Sequence, residues 1–408
     1  MDELEFVRTI RSAHGRVYIV GGWVRDKIRG VSPHDRDYVV TGLTEDVFCS
    51  LFDAIRVGAG FPVYRLVIDG EWCDVAFARG ERKSGPGYRG FSVSYSPRTT
   101  IEEDLNRRDT TINSIALDLE TGETIDPFCG VSDIEARVVR ATSEHFVEDP
   151  VRALRAARQA AQFGFSVDGV TINMMRMCRD EIALEPGERI VNELRRALAG
   201  SRPSLFFRYL QSAGILDVVY PQVFALEGAY HLHEHHPEGD AFEHSMKVLD
   251  EVARVTARTE VRFAALAHDL GKALTPVSER PHYYGHESLG LDALREWNRR
   301  MTLPKRWILC ASCAITEHMR ALVVTKPGKI VDLLYRIRGN PIGADGFSAI
   351  IRADRGHIPE FLENCERYYE VMDRVRGEDA PQNLKGPELG EWIRQRRIEE
   401  YRRAAPVG

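Results

Sequence analysis

The sequence predicts a small α/β unit built on one sheet, followed by an all-α remainder. Three observations carry this. Short β-rich runs alternate with helical pieces from residue 17 to about 127. From about 133 onward strands disappear, and the chain reads as helices broken by Pro or Gly. One stretch, Gly21-Gly22-Trp23-Val24-Arg25-Asp26 with Asp35-Arg36-Asp37 shortly behind it, organises the first part.

Residues 2–14 read as a short amphipathic helix. Tyr18-Ile19-Val20 is a buried strand running into a glycine pair. Gly21 and Gly22 let the backbone turn sharply, and Trp23 to Arg29 is a helix, so backbone N–H groups can face a phosphate there. Pro33-His34 makes a turn, and Asp35 to Val40 reads as the next strand. Side chains two apart on a strand share a face, so Asp35 and Asp37 should project together. Paired carboxylates repel unless they share cations, and Mg²⁺ with substrate phosphates is their natural partner. An isolated D-x-D is more often a solvated turn; directly behind a strand–Gly-Gly–helix unit, the functional reading wins. Helices are predicted over Thr44–Phe52 and Ile101–Arg107, and strands over Pro62–Ile68, Glu71–Ala78 and Ile115–Leu119. Asp74, on one of these strands, supplies a third carboxylate. Two Mg²⁺ ions held there would activate a 3′-hydroxyl and stabilise a leaving pyrophosphate. The Gly-rich, charged stretch 81–90 is a mobile loop by composition, with basic ends that suit a flap over an anion.

Two further clusters carry chemistry. In Asn106-Arg107-Arg108-Asp109-Thr110-Thr111-Ile112-Asn113 the arginines can clamp phosphate oxygens and Asp109 can accept from a ribose hydroxyl. In Asp149-Pro150-Val151-Arg152, Asp149 is a predicted N-cap with Pro150 at the first helical position. Asp149, Arg152 and Arg155 then share a stripe with Arg158 beside it, while Val151, Leu154 and Ala161 pack. Cytosine and adenine both place an exocyclic amine beside a ring-nitrogen acceptor. An Asp that accepts from the amine and an Arg that donates to the ring nitrogen select that edge against uracil and guanine.

These ordered motifs, G-G-x-V-R-D, D-x-D, E-R-K-S-G-x-G-Y-x-G-F, R-R-D-x-T-I-N and E-D-P-x-R-x-L-R-x-x-R, resemble the class II CCA-adding enzymes, tRNA nucleotidyltransferases of the polymerase β-like superfamily. The likeness is greatest to the bacterial form with an HD domain and runs from about residue 16 to near the C-terminus. It implies a head over 1–137 with a small mixed β-sheet and helices, a helical neck over 138–200, a body over 201–236, an HD domain over 237–360 and a helical tail over 361–408. It also implies addition of C, C and A to tRNA from CTP and ATP. Asp35 and Asp37 match the Mg²⁺ ligands; Gly21, Gly22, Arg25, Arg108, Asn113, Arg155 and Arg158 belong to the nucleotide-binding motifs; Asp109 matches the residue near the ribose; Asp149 and Arg152 match the amino-acid template. Loop 81–90 matches the element needed to switch to A addition, which disfavours a CC-only enzyme. A poly(A) polymerase, which shares the head motifs, and an A-adding-only enzyme are the rival readings.

In the second half, His268-Asp269 follows the apolar run Val261–Ala267, with His244 upstream and Asp354 downstream. Neighbouring His and Asp at a helix end can reach one metal. The order H…HD…D resembles the HD phosphohydrolases, and His286 and His318 fall where some of these place further ligands. The resemblance implies a divalent transition metal such as Ni²⁺ or Mn²⁺ and phosphatase, 2′-nucleotidase or 2′,3′-cyclic phosphodiesterase activity. His231, His233, His235 and His236 lie in a Pro/Gly-rich loop and are assigned to the surface or to substrate contact, not to the metal.

Composition limits the alternatives. With 43% hydrophobic and 28% charged residues and a net charge of −6, nothing global favours nucleic-acid binding, so RNA contact must come from local basic faces. The basic run Trp392–Arg403 is one such face, although a solvated helix surface is its plainer reading. No run of eighteen apolar residues exists and the N-terminus is acidic, which places the chain in the cytoplasm with no membrane partner. Seven scattered cysteines fit a reducing compartment, and Cys310 and Cys313 read as core. Monomer and homodimer are both compatible with the sequence.

Overall fold

The computed structural model describes residues 1–57, 63–83, 85, 91–229, 239–280 and 282–405. The chain divides into two compact units, residues 1–193 with 205–219, and residues 194–204 with 220–408. Most of loop 81–90, and His231, His233, His235 and His236, lie outside the described residues.

The strands of the first unit are β1 (Arg16–Val20), β2 (Asp37–Thr41), β3 (Ile55–Val57), β4 (Val63–Ile68), β5 (Glu71–Phe77), β6 (Arg79–Lys83), β7 (Phe91–Tyr95), β8 (Ala116–Asp118) and β9 (Thr124–Ile125). Seven of them form one mixed sheet in the order β3-β4-β5-β2-β1-β8-β9, and β6 pairs with β7 as a separate hairpin. Residues 81–83, expected in the loop, therefore end a strand instead; backbone pairing with 91–93 overrides their Gly- and charge-rich context. The middle strands β1 and β2 are buried on both faces apart from their ends, which is why Val-Tyr-Ile-Val and Tyr-Val-Val do not alternate with polar residues. One face packs Tyr18, Val20, Val39, Ile101 and Leu105. Elsewhere Phe6, Tyr38, Phe48, Phe52, Tyr64 and Phe77 form a chain of ring contacts with centroids 5.0 to 6.1 Å apart. Each such side chain contributes about 1.5–3 kcal/mol by burial, and each ring pair about 1 kcal/mol more.

Helices α1 (Glu3–Ser12), α2 (Gly22–Ile28), α3 (Glu45–Leu51), α4 (Ile101–Asn106), α5 (Gly130–Ala136) and α6 (Val151–Phe163) complete the parts that matter for the site. Thr100 and Glu103 start α4 with a reciprocal capping pair. Helix α6 is buried along almost its whole length and stops at Gly164, which adopts φ 66°.

Three expectations are corrected. Strands do not end before residue 133: Val138–Val139 (β10) pairs in parallel with Ser166–Val167 (β11). Two-residue strands are too short to show a period in the sequence. Asp35 is not on the strand: it precedes β2 in a left-handed turn conformation with φ 52°, which Asp tolerates better than most residues. Its nearness to Asp37 therefore comes from the turn after Pro33 and not from strand alternation. Helix α6 begins at Val151 with Pro150 at its N-cap position, one residue later than expected. Asp149 still caps it, accepting from the Val151 N–H at 3.2 Å.

The second unit is helical. Its core gathers Phe263, Trp297 and Trp307, with Phe263 stacked on Trp307 at 4.8 Å. Cys310 and Cys313 are buried in helix Lys305–Val323, and burial pushes both thiols up to about 12, so they are inert packing residues. Among the described residues no helix is long and apolar enough to cross a membrane.

Candidate functional site

Sheet register builds the first site. Val20 at the end of β1 lies opposite Asp37, and Asp37 lies beside Asp74 on the parallel neighbour β5. The turn out of β1 therefore delivers Gly21 next to two carboxylates, with Asp35 just before them. Burial raises the Asp37 carboxyl pKa; Arg108 pulls it down, while Asp74 and Asp35 push it up again. Asp37 and Asp74 are neighbours across the sheet, with Arg65 Nε on Asp74 Oδ1 at 3.0 Å, and Asp35 lies just ahead of β2; carboxylates are the ligand type that hard divalent cations take.

Gly21 takes φ 70°, and a Cβ there would stand 3.2 Å from Arg108 Nη1. A glycine at this point keeps the backbone open where the Arg108 side chain crosses it. Arg108 and Arg107 are both anchored on the fully buried Asp104, with Arg108 Nη2 donating to Oδ2 at 3.0 Å and Arg107 Nη2 to Oδ1 at 2.6 Å. Asp104 thus sets the Arg108 guanidinium beside the glycine turn, while Arg107 Nε also donates to the Arg79 carbonyl at 3.1 Å.

A hydrogen-bonded line joins the sequence clusters. Asp26 accepts from Arg25 Nε and Nη2 at 3.0 and 2.8 Å. Arg25 Nη1 donates to Asn113 Oδ1 at 2.7 Å, and Asn113 Nδ2 donates to Asp109 Oδ1 at 3.1 Å. Asp109 Oδ2 accepts from Arg155 Nε at 2.8 Å and from Gln159 Nε2 at 2.9 Å. Arg25 also stacks on the Phe163 ring at 4.5 Å. Residues from α2, the 3₁₀ turn Thr111–Asn113 and α6 are therefore held in one register.

Asp109 is 5% exposed, and both its oxygens accept from the protein. Burial alone would raise its pKa, but Arg155, Asn113 and Arg158 outweigh this and hold it well below the usual carboxylate range. Asp109→Ala should therefore destabilise the first unit by about 3 kcal/mol, the lower end of the range for breaking a buried pair because Arg155 is partly exposed. A depressed carboxylate pKa adds stability that is complete above the ordinary value and lost as pH falls through the folded one. The difference between wild type and variant, measured by urea unfolding, should be constant from pH 6 to 8 and shrink in acid. A difference that grows in acid would refute this.

The remaining residues of α6 are placed as follows. Asp149 receives Arg189 Nη2 at 3.1–3.2 Å on both oxygens. Arg152 is buried and donates to the His145 carbonyl at 2.5 Å. Arg158 is buried against Glu193 at 2.5 Å. Arg189, Glu193 and Gln159 were not singled out in the sequence. They sit on helices whose amphipathic pattern offers no local sign that they reach another motif.

The second site is in the helical unit. His244 comes from helix Ala241–Val255, His268 and Asp269 from the end of Thr259–Ala267, His286 from the start of His286–Met301, His318 from Lys305–Val323 and Asp354 from Gly343–Arg355. All six are brought together. His244 Nε2 is 3.0 Å from Asp354 Oδ1 and 3.8 Å from Asp269 Oδ2. His268 Nε2 is 3.3 Å from Asp269 Oδ2, whereas His286 and His318 Nε2 lie 3.6 and 3.4 Å from Asp269 Oδ1. Two donor triads, His244–His268–Asp269 and Asp269–His286–His318, thus share Asp269.

The outer hydrogen bonds fix the imidazoles. Nδ1 of His268, His286 and His318 lies 2.7, 2.8 and 2.9 Å from the carbonyls of Ala265, Tyr283 and Ala314. Carbonyls only accept, so Nδ1 carries the proton and Nε2 points its lone pair inward. His286 and His318 Nε2 then face each other at 3.3 Å, lone pair to lone pair. Among the described residues His268 Nε2, Asp269 Oδ1 and Asp354 Oδ2 are buried without a hydrogen-bond partner, although Arg355 Nε stands 3.2 Å from Asp354 Oδ2. Inward lone pairs and orphaned carboxylate oxygens fit a divalent cation. Burial pushes the Asp269 carboxyl pKa up, but Lys272 and His268 hold it well below the usual range. Lys272, buried with Nζ 2.6 Å from Asp269 Oδ2, is a site residue that the sequence reading missed. Its position one turn after His268 was the available signal.

Gly271 seals this site. A Cβ there would fall 1.8 Å from the His286 carbonyl oxygen, so the loop after His268-Asp269 and the helix bearing His286 touch backbone to backbone.

Three family models match segments of the chain. Residues 17–140 match the family model described as the poly A polymerase head domain, 164–226 the one described as "Probable RNA and SrmB- binding site of polymerase A", and 241–337 the HD domain. A multifunctional CCA protein of Aromatoleum aromaticum is 45% identical over 330 residues, covering 79% of each chain. One from Nitrosococcus oceani is 38% identical over 407 residues, covering 95% of this chain and 98% of its own. The crystal structure of the Bacillus stearothermophilus CCA-adding enzyme in complex with CTP superposes with TM-score 0.65 at 23% identity, over 98% of this chain and 91% of that one. A CCA-adding enzyme in apo form II gives TM-score 0.67 at 18% identity, over 98% and 93%.

Proposed function

Because the chain belongs to the family of multifunctional CCA proteins and is a CCA tRNA nucleotidyltransferase with an HD domain, we propose how its two sites divide the work. The head adds C, C and A to the 3′ end of tRNA from CTP and ATP, without a nucleic-acid template. The observation that carries its site assignment is the adjacency of Asp37 and Asp74 beside the Gly21 turn.

Asp35, Asp37 and Asp74 would hold Mg²⁺, which when bound supplies charge neutralisation at the α-phosphate and at the 3′-hydroxyl. The tRNA 3′-hydroxyl attacks the α-phosphorus, the bond to the bridging oxygen breaks and pyrophosphate leaves. Arg108 and Arg25, anchored on Asp104 and Asp26, bind the triphosphate oxygens beside the Gly21-Gly22 backbone. Asp149 and Arg152 read the base edge, and the line from Arg25 through Asn113 and Asp109 to Arg155 couples base position to phosphate position. Arg189 Nη2 donates to both oxygens of Asp149.

The helical unit carries the HD phosphohydrolase site. His244, His268, Asp269 and Asp354 would hold a divalent transition metal such as Ni²⁺ or Mn²⁺, with His286 and His318 on the other oxygen of Asp269; bound there, it supplies an activated water and polarises a phosphoryl oxygen. Lys272 keeps Asp269 ionised. Phosphomonoesters, 2′-nucleotides and 2′,3′-cyclic phosphates are its substrate class. The five-part division into head, neck, body, HD domain and tail, and a cytoplasmic location, complete the reading.

The decisive assay incubates tRNA lacking CCA with CTP alone, then with CTP and ATP. Two CMP residues followed by one AMP are expected. Incorporation of AMP alone would give the result to an A-adding enzyme or a poly(A) polymerase. Asp149→Ala should abolish the preference for C and A over U and G while retaining slow transfer, read from misincorporation.

A further inference from the structure

We infer that the cleft between helices Lys305–Val323, Pro327–Arg338 and Pro387–Ala404 binds the phosphate backbone of RNA. It lies within the helical unit, has a volume of about 670 Å³, and is lined by Arg320, Lys329, Arg336, Arg394, Arg397 and Tyr335. Such a cluster stands out in a chain of net charge −6.

The acids near these cations are already engaged. Glu317, 1% exposed, is held from behind by Arg320 at 3.0 Å and by Arg336. Both oxygens of Asp332 accept from Arg394, at 2.7 and 3.0 Å, and Glu391 Oε1 accepts from Arg394 Nη1 at 3.2 Å and from Gln395 Nε2 at 2.6 Å. Lys329 and Arg397 have no ion pair among the described residues. Arg397 stacks on the Tyr335 ring with its Cζ 4.2 Å from the centroid, and its Nε is buried with no hydrogen-bond partner.

The spread of the cations favours a polyanion over a single small anion. They come from three helices, and a stacked guanidinium–phenol pair adds a flat surface that a nucleobase or ribose can cover. This deepens the reading of tRNA as substrate and rests on it.

The test uses the full chain and fluorescently labelled tRNA lacking CCA, with anisotropy recorded over a salt series. Gly390→Glu places a carboxylate in the cleft where an added Cβ meets nothing within 4 Å, so the fold is not disturbed. That variant and the double variant Lys329→Ala/Arg397→Ala should each weaken binding about tenfold, and the double variant should reduce the salt slope by roughly 1 per cation removed. KM for tRNA should rise in CMP incorporation, with kcat and the KM for CTP unchanged. Arg396→Ala, on the same helix but paired with Glu399, should behave as wild type. Wild-type affinity and slope in both cleft variants overturn the proposal. So does thermal stabilisation by inorganic phosphate that disappears in the double variant while tRNA binding persists, since that marks a small-anion site. Failure of wild type itself to bind tRNA would instead remove the substrate reading beneath it.

Discussion

Asp37→Asn is expected to lower CMP incorporation by at least about 10³-fold while leaving phosphate release from a 2′,3′-cyclic nucleotide unchanged. The substitution keeps the shape of the side chain and removes its charge. Asp37 is the carboxylate flanked on one side by Val20, which leads into the Gly21 turn, and on the other by Asp74. Losing one of three carboxylates forfeits about 4 kcal/mol of charge stabilisation in the transition state, which converts to roughly that factor. Burial, with a smaller contribution from Asp74 and Asp35, already raises the Asp37 pKa, so the variant should fold at least as stably as wild type without divalent cations. Incorporation at wild-type rate would show that the register of β2 and β5 does not mark the reacting centre. An unstable variant would show that the carboxylate has a structural role.

The second large effect lies in the HD unit. His268→Ala should eliminate hydrolysis, to below about 1% of wild type, and leave CCA addition intact. A readout independent of turnover is available: wild type should gain about 2.7 kcal/mol of apparent stability at a transition-metal concentration one hundred times Kd, and the variant should gain far less. His268 Nε2 is buried 3.3 Å from Asp269 Oδ2 with no hydrogen-bond partner among the described residues, so its removal deletes an inward lone pair directly. Metal-dependent stabilisation equal to wild type would exclude His268 as a ligand. Gly271→Ala should impair the same site by another route, because a Cβ would clash with the His286 carbonyl and force apart two ligand-bearing segments.

Much of this site was legible along the chain because its chemistry is written in short segments. A strand ending in Gly21-Gly22, the carboxylates Asp35 and Asp37, the Arg-rich start of α6 and the His268-Asp269 pair each advertise their function by residue type at a fixed local spacing. Local reasoning failed at Asp35, whose left-handed φ depends on how the turn meets the sheet. It also failed at β10 and β11, whose pairing brings together residues 28 apart.

The sequence by itself determined the fold class, the apolar strands, the helix start near Asp149 to within one residue and the helix from Ile101, because propensity, capping and periodicity act over a few neighbours. Tertiary structure alone decided which groups meet. Parallel pairing of β2 with β5 set Asp74 beside Asp37, and five helices brought His244, the His268–Asp269 pair, His286, His318 and Asp354 to one point. Asp109 became a buried junction and Lys272 the partner of Asp269 only when the chain packed. Contacts between residues far apart in sequence depend on sheet register and helix packing, and no local pattern encodes either.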